Sequence, residues 1–415
     1  MKGVCIFGIA IASLVTQGAA APRSQQQQST AAIPGRWIVT LKSGIDKRDV
    51  EQHLDWIHDT HRRSLSRGQT SGVERTFGIR DFHAYTGEFD EELLVEIQAK
   101  NEVIAIEPDH GASLAALTEQ NSPAPTWIIS YMYDSSAGTG TFAYVLDSGI
   151  RISHPDFQGR AIKGTNVFPE VAHDDDFGHG THVAGTIGSV QFGVAKNATL
   201  VDVKTTRVAY GTTAKIIEAL EWSVQNITNT PGRAGRSVIS MSLATATSTA
   251  LNDAVDAATA LGVFVVVGAG NDGKDASTRS PASAPAAFTV GAIDINSTRA
   301  TWSNFGPSVD VFAAGVDVRL TSLYQDGTEL LSGTSMSTPH ISGLALYLKG
   351  LEGSVVDAPA AIGARIKELA TKGIVAGSGV GSPNLVAYMG MVGDEGLNGA
   401  SWNMLTTDRS CLRSR

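Results

Sequence analysis

The chain has 415 residues, a hydrophobic content of 42% and a formal net charge of -9 at pH 7. This length fits about two domains, and the composition is that of a soluble chain with a large core. The acidic balance argues against a nucleic-acid partner, because the chain has no basic field to attract phosphates.

The N-terminus predicts a secretory signal over residues 1–21. Lys2 is followed by an apolar run over residues 4–15 and then by Ala19, Ala20 and Ala21. A basic start, a short apolar centre and a small-residue cleavage site are typical of such signals. The run is shorter than the ~20 apolar residues of a membrane-spanning helix. The sequence therefore predicts a secreted, extracellular protein without a membrane anchor.

Export has consequences for the cysteines and for three glycosylation sequons. Cys5 would leave with the signal, so Cys411 remains without an intrachain partner and no disulfide is predicted. Stability must then come from core burial, which a chain of this length can supply. Asn197, Asn226 and Asn296 begin sequons that are compatible with the secretory route.

A polar linker is followed by a small α+β domain, predicted over residues 35–115. Its strand–helix–strands–helix–strand order is ferredoxin-like. The elements are a strand at 37–41, a helix at 47–65, extended segments at 72–89, a helix at 91–100 and a strand at 102–106. A change of composition over residues 112–125 marks the domain boundary.

Beyond residue 140, apolar strands alternate with amphipathic helices, which predicts an α/β domain over residues 116–390. Near-continuous apolar strands of this kind indicate a parallel sheet that is buried on both faces. The predicted strands are 142–146, 238–241, 263–267, 288–292 and 309–312, and the predicted helices include 213–225, 251–261 and 357–372. The tail over 391–415 is polar and has no apolar stretch for a lipid anchor.

Polar groups follow two of these strands, and a serine begins a later helix. Asp147 ends the first strand and Asn271 follows the third, at the sheet edge where active groups of parallel sheets gather. His179 lies in Gly178-His179-Gly180-Thr181-His182. Ser335 lies in Gly333-Thr334-Ser335-Met336, before an apolar helix whose N–H groups and dipole favour developing negative charge.

Amide hydrolysis by serine requires the residue types found in these segments. The hydroxyl needs a base to take its proton, a buried carboxylate to orient the base, and donors aimed at the oxyanion. Taken singly, the aspartate also fits a turn or cap, the histidine a structural role and the serine a loop. An esterase is a weaker alternative, because Ser335 lacks a glycine two residues on and follows its acid and base in the chain.

At these residues the chain resembles the subtilisin-like serine proteases, most closely the proteinase K and fungal alkaline protease (oryzin-like) branch. The resemblance is carried by Asp147-Ser148-Gly149, by the His179 and Ser335 segments and by their order, and it covers residues 125–388. It implies a three-layer α/β fold with a mostly parallel sheet. It also implies a triad of Asp147, His179 and Ser335, with Asn271 as oxyanion donor and no cofactor for the chemistry.

The resemblance also implies that the protein is made as a zymogen. Residues 35–115 look like the family's propeptide, a chaperone and inhibitor that is removed by self-cleavage, here near residues 115–117. Protein and peptide substrates are expected, with hydrophobic residues preferred before the cleaved bond. We expect a monomer.

The resemblance further suggests one calcium site. Asp310 with the backbone carbonyls of Pro285 and Ala287 matches a site of the proteinase K branch, and such oxygen ligands suit a hard cation. A solvated aspartate at a strand edge is the alternative. The run Asp174-Asp175-Asp176 is interpreted as a solvated loop, and His182 and His340 are assigned to structural hydrogen bonds.

The chain departs from the family pattern at two places. Ala244-Thr245 stands where the family usually has Gly-Gly in one wall of the specificity pocket, and added Cβ groups would crowd a substrate or forbid a positive φ. Ser337 replaces the usual alanine, and its hydroxyl needs a partner if it is buried. The first departure supports a second hypothesis, a secreted non-enzymatic relative that binds peptides or a host surface.

Overall fold

The structure, a computed structural model, describes residues 30–65, 72–114, 134–323 and 327–388, with the backbone alone at 61–65. The predicted signal, the maturation point near 115–117, the C-terminal tail, Cys5 and Cys411 lie outside these residues. Every helix in these ranges is too short or too polar to span a lipid bilayer.

The N-terminal part has the predicted order of elements. These are β1 (Ala32–Leu41), α1 (Lys47–Leu65), β2 (Gly72–Ile79), β3 (Phe82–Glu88), α2 (Glu91–Gln98) and β4 (Val103–Leu114). The strands form an antiparallel sheet in the order β4–β1–β3–β2. Residues of this sheet and of both helices, among them Val39, Ile57 and Leu93, share one apolar cluster. The predicted α+β order is confirmed.

The C-terminal part alternates strands with helices. Its strands are β5 (Phe142–Asp147), β6 (Ala161–Asn166), β7 (Thr199–Lys204), β8 (Tyr210–Thr212), β9 (Ser237–Met241), β10 (Leu243–Ala246), β11 (Phe264–Gly268), β12 (Arg279–Ser280), β13 (Phe288–Ile293), β14 (Val311–Ala314), β15 (Val318–Thr321), β16 (Thr328–Leu331), β17 (Thr371–Lys372) and β18 (Leu385–Val386). Its helices are α3 (His179–Gly188), α4 (Thr213–Asn229), α5 (Thr249–Ala260), α6 (Thr334–Glu352) and α7 (Pro359–Leu369).

Within the described ranges, nine of these strands form the central sheet, in the order β17–β18–β14–β13–β11–β9–β5–β7–β6. The pairs are parallel except β17–β18. Alternate residues of β5 face opposite sides of the sheet: Leu146 belongs to the apolar cluster that includes residues of α4 and α5, whereas Val145 belongs to the cluster that includes residues of α3, α6 and α7. A sheet between two helical layers confirms the predicted three-layer α/β fold.

Sequence reasoning missed the two strands that complete the central sheet beyond β5, which are β7 and β6. β7 carries Asp202 and Lys204, and these charges interrupt the apolar run that indicates a buried strand. Both side chains are nevertheless buried. Lys204 is satisfied by the carbonyl of Ser148 at 2.6 Å and by Asp176 at 3.0 Å. The neighbouring β6 is half exposed at the sheet edge and has little apolar signal.

The end of β4 joins the two parts of the molecule. The predicted strand at 102–106 extends to Leu114, because its last residues leave the N-terminal sheet and pair with the C-terminal part. Ala112, Ser113 and Leu114 pair antiparallel with β10, and residues 111–113 also pair with β8. An extended segment is therefore held between two strands of the larger part.

The three sequon asparagines differ in their surroundings. Asn197 and Asn296 are exposed. Asn226 is half-buried in α4, and its side-chain oxygen accepts hydrogen bonds from Tyr144 at 2.7 Å and Arg233 at 2.6 Å. Asn197 Nδ2, the atom to which a glycan is attached, donates to the carbonyl of Ser135 at 2.7 Å, so Asn296 is the most accessible of the three sequons.

Candidate active site

Two of the predicted site residues meet at the end of β5. Asp147 is its last residue, and His179 is the first residue of α3. His179 Nδ1 lies 2.7 Å from Asp147 Oδ1, and both side chains are buried. The same carboxylate oxygen accepts the N–H of Ser148 at 2.7 Å. Because the Asp147 carboxylate accepts a hydrogen bond from His179 Nδ1, the ring proton lies on Nδ1. Nε2 is then the basic atom of the ring.

A glycine permits this close approach. A Cβ built on Gly180 would lie 2.1 Å from the carbonyl oxygen of Gly149, which no real contact allows. Gly149 itself has φ +115 and would clash with the backbone of Asp174. The backbone of the Asp147 loop and the start of α3 therefore touch, and only glycine fits at these positions.

Ser335 lies at the carboxyl end of the strand next to β5. Leu146 of β5 pairs with Met241 of β9, so Ser242 lies beside Asp147, and neighbouring strands are ~4.8 Å apart. The Ser335 hydroxyl donates to the carbonyl of Ser242 at 3.0 Å, and Ser242 Oγ donates back to the carbonyl of Ser335 at 2.9 Å. Ser242 is thus part of the site, although the sequence analysis assigned it no role beside the nucleophile.

The predicted contact between Ser335 and His179 is not made as a hydrogen bond. Among the described residues, buried His179 Nε2 has no hydrogen-bond partner. The hydroxyl is instead satisfied by Ser242, as a buried polar group must be. Hydrogen bonds between nucleophile and base are often long or poorly aligned before substrate binds, and they tighten in the complex.

Asn271 adjoins the start of α6. Its side-chain oxygen accepts both the N–H and the hydroxyl of Thr334 at 2.9 Å. This fixes the orientation of the amide and makes Nδ2 the donating end. Ser335 is the second residue of α6, where N–H groups have no acceptor within the helix. The amide of Asn271 and the N–H of Ser335 therefore both lie at the start of α6.

The interpretation of residues 174–176 as a solvated loop is wrong for Asp175. This carboxylate is buried and accepts hydrogen bonds from Ser148, Gly178 and Thr181. It stabilises the N-terminus of α3, where Gly178 supplies no side-chain cap. An acidic residue shortly before a predicted helix is the sequence signal that indicates such a role.

The departures from the family pattern are accommodated. Neither Ala244 nor Thr245 has a positive φ, so the backbone strain expected from replacing Gly-Gly does not arise. They pair with Ser113 and Ala112 of the docked β4 segment, and the buried Thr245 hydroxyl donates to the carbonyl of Ala246 at 2.8 Å. Added Cβ groups in β10 therefore leave room for an extended chain.

Three other polar residues of α3 and α6, which are His182, Ser337 and His340, contact backbone carbonyls. Ser337 Oγ donates to the carbonyl of Ala313 at 3.0 Å, which provides the partner that its burial requires. His182 Nε2 contacts the carbonyl of Val318, and burial lowers the pKa of His182 to about 3. His340 Nδ1 contacts the carbonyl of Met336 within α6.

Both carboxylate oxygens of Asp310, the predicted calcium ligand, have partners within the protein. One oxygen accepts the N–H of Thr289 at 2.7 Å, and the other lies 2.6 Å from Lys367 Nζ. Burial raises the pKa of Asp310, and Lys367 opposes this effect. A cation already pairs with the carboxylate, so a calcium ion held by Asp310, Pro285 and Ala287 would have to displace it. The described contacts do not fit the predicted site.

Comparison with known proteins agrees with this geometry. Residues 138–384 match the model of the Subtilase family, and residues 36–115 match Peptidase inhibitor I9. The chain belongs to the subtilase family.

Its relatives cover nearly the whole chain. Alkaline protease 1 of Aspergillus clavatus is 45% identical over 92% of this chain and 97% of its own length. Subtilisin-like proteinase Mp1 of Magnaporthiopsis poae is 43% identical over 88% and 94%. A crystal structure of a cold adapted subtilisin-like serine proteinase superposes with a TM-score of 0.58 at 35% identity, covering 67% of this chain and 98% of that one. This chain is a subtilisin-like serine endopeptidase with an inhibitor region at its N-terminus.

Gly180→Ala is expected to abolish proteolysis, because the new Cβ forces the start of α3 away from Gly149 and separates His179 from Asp147. Loss of at least ~10²-fold in kcat/KM follows from a displacement of about 1 Å. The measurement is hydrolysis of a chromogenic peptide. Gly363→Ala is the matched control, since its Cβ would meet Phe288 at an ordinary 3.4 Å. Equal activity of both variants would show that the close approach of Gly180 to Gly149 is not needed for catalysis.

Lys367→Met is expected to lower the thermal stability modestly, because the half-buried Asp310 loses its cation. Lys367 is 45% exposed, so the loss should be only ~1 kcal/mol. Calcium should raise the unfolding temperature of the variant more than that of the unaltered protein, as read by scanning calorimetry with calcium or chelator. An equal gain from calcium in both proteins would show that Lys367 does not occupy the cation position.

Proposed function

We propose that this protein is a secreted serine endopeptidase, made as a self-processing zymogen, in which Ser335 is the nucleophile. The observation that carries the proposal is the buried 2.7 Å contact of His179 with Asp147, next to the strand end that holds the Ser335 hydroxyl. A carboxylate that orients an imidazole beside a serine is the arrangement that acyl transfer requires.

In the proposed reaction, His179 is the general base. Asp147 holds the proton on Nδ1 and stabilises the imidazolium that forms when Nε2 takes the proton of Ser335. The hydroxyl turns from the carbonyl of Ser242 to Nε2, and its oxygen attacks the peptide carbonyl. His179 then gives the proton to the leaving amine, and a water molecule hydrolyses the acyl-enzyme by the same path.

The negative oxygen of the tetrahedral intermediate is the second element of the proposal. Asn271 Nδ2 and the Ser335 N–H are the proposed donors, since both groups adjoin the start of α6. Donors that are preorganised in a buried site stabilise charge that develops only in the transition state. No metal or cofactor is assigned a step.

Residues 35–115 are proposed to inhibit the enzyme by lying in its substrate cleft. Residues 111–114 pair with β8 and β10 as an extended substrate would. Two carboxylates support the docking: Glu107 accepts from Ser248 Oγ and from the Thr249 N–H at α5, and Asp109 accepts from the Ala214 N–H at α4. Each carboxylate meets a helix N-terminus, whose N–H groups offset part of the cost of burying its charge.

Location, maturation and specificity follow the same proposal. The N-terminal apolar run supports export, and the position of residues 111–114 supports cleavage near 115–117. Broad specificity with hydrophobic residues before the cleaved bond is proposed, together with a monomeric state. A non-enzymatic peptide binder is not favoured, because the departure that suggested it, Ala244-Thr245, deforms neither β10 nor the His179–Asp147 contact.

Ser335→Ala is expected to stop both self-processing and peptide hydrolysis, because no hydroxyl remains to form the acyl-enzyme. N-terminal sequencing of secreted material and a peptidase assay measure the two outcomes. Ser337→Ala restores the residue usual in the family and is the control that should mature normally. Full processing and proteolysis by purified Ser335→Ala protein would refute the proposal.

Glu107→Ala is expected to weaken binding of the propeptide to the mature enzyme about 10-fold or more, since hydrogen bonds to a charged group contribute ~1.5–3 kcal/mol. Burial raises the pKa of Glu107 and of Asp109 in the complex. The complex therefore takes up protons, so binding should be strongest below their ordinary pKa values and weaken as the pH rises through the raised ones.

This prediction is measured as the inhibition constant or, at acidic pH, by calorimetry. Glu96→Ala changes an exposed glutamate of α2 and is the matched control. Unchanged inhibition by the Glu107→Ala propeptide would show that the Glu107 hydrogen bonds do not contribute to binding. Tighter binding at higher pH would contradict the predicted uptake of protons by the complex.

A further inference from the structure

A second bridge, separate from the His179–Asp147 contact, connects the two segments that carry these residues. Asp175 Oδ1 accepts from Ser148 Oγ at 2.8 Å, from the Phe177 N–H at 3.0 Å and from the Gly178 N–H at 2.8 Å. Its Oδ2 accepts from the Thr181 N–H at 2.9 Å and from Thr181 Oγ1 at 2.6 Å. Both oxygens are thus fully engaged, in a carboxylate with 7% exposure.

This bridge caps the helix that begins with His179. Gly178, at the N-cap position, has φ 99 and contributes no side-chain bond. The N–H of Gly180 is accepted instead by Ser148 Oγ at 3.0 Å, and the N–H of Thr181 by Asp175. The first turn of α3 is therefore anchored by residues 148 and 175 rather than by a local cap.

The same hydrogen bonds hold the residue next to Asp147. Ser148 directly follows Asp147, and its hydroxyl links Asp175 to the Gly180 N–H. Thr181 Oγ1 also accepts the N–H of Arg151 at 2.9 Å, which ties the same loop to the same helix turn. The backbones that carry the carboxylate and the imidazole are consequently held in one hydrogen-bonded unit.

We infer that Asp175 is a positioning residue, which keeps His179 aimed at Asp147 by joining Ser148 to the first turn of α3. The inference rests on the proposed function and extends it to a residue that does not touch the reacting atoms. Misplacement of a base by a fraction of its hydrogen-bond length is costly, because the proton transfer depends on alignment.

Asp175→Asn tests the inference, since the amide keeps the size of the side chain and removes one acceptor. Whichever way the amide turns, its NH2 group faces either the two Thr181 donors or the three donors on Oδ1. We expect kcat of the mature enzyme to fall about 10- to 100-fold with KM unchanged. The low-field proton resonance of the His179–Asp147 hydrogen bond should shift or broaden.

Asp174→Asn is the matched control. It makes the same change one residue earlier, on a side chain that is 66% exposed. It should keep the kcat and the low-field resonance of the unaltered enzyme. If Asp175→Asn does not process itself, the zymogen is matured by added active enzyme before measurement.

A variant that does not fold is replaced by Ser148→Ala, which removes the linking hydroxyl alone and should lower kcat less, about 10-fold. A kcat and a resonance equal to those of the unaltered enzyme, in Asp175→Asn or in this substitute, would overturn the inference. A lower unfolding temperature with an unchanged low-field resonance would also overturn the inference, because it would show that Asp175 contributes only to stability. Activity of the Ser335→Ala protein would refute the proposed function instead.

Discussion

The structure of the site depends on one contact, between a buried carboxylate and a buried imidazole. Asp147 and His179 meet at 2.7 Å, and neither side chain reaches solvent. Burying a charge without a partner is costly, so the surroundings must supply hydrogen bonds and hold the pair together. The Ser148 N–H bonds directly to the carboxylate, while Gly149 and Gly180 let the two backbones touch.

The architecture places this contact where an extended chain can reach it. The parallel sheet aligns the ends of β5 and β9, so that Asp147 and Ser242 lie side by side, and α6 brings Ser335 to the same edge. The docked end of β4 lies along β10, which begins one residue after Ser242. The N-terminal region thus pairs with the backbone of β8 and β10, which the proposed function assigns to a bound substrate as well.

Much of this could be predicted from the sequence, because the signals are local. Alternation of apolar strands and amphipathic helices indicates a buried parallel sheet, and the segments around Asp147, His179 and Ser335 resemble the subtilase pattern. Strands β6 and β7 were missed, because β6 lies half exposed at the sheet edge and in β7 buried charges replace apolar residues. Asp175 was misread for a related reason: its donors lie on both sides of it in the chain, and a run of three aspartates looks solvated.

The sequence by itself determined the fold class, the zymogen-like organisation and the candidates for the catalytic groups. Only the tertiary structure decided which polar groups actually pair: Ser335 with Ser242, Asp175 with Ser148 and Thr181, and Asp310 with Lys367. The physical reason is that residue type and periodicity report burial and helix or strand, whereas a hydrogen bond depends on atoms that meet across distant segments.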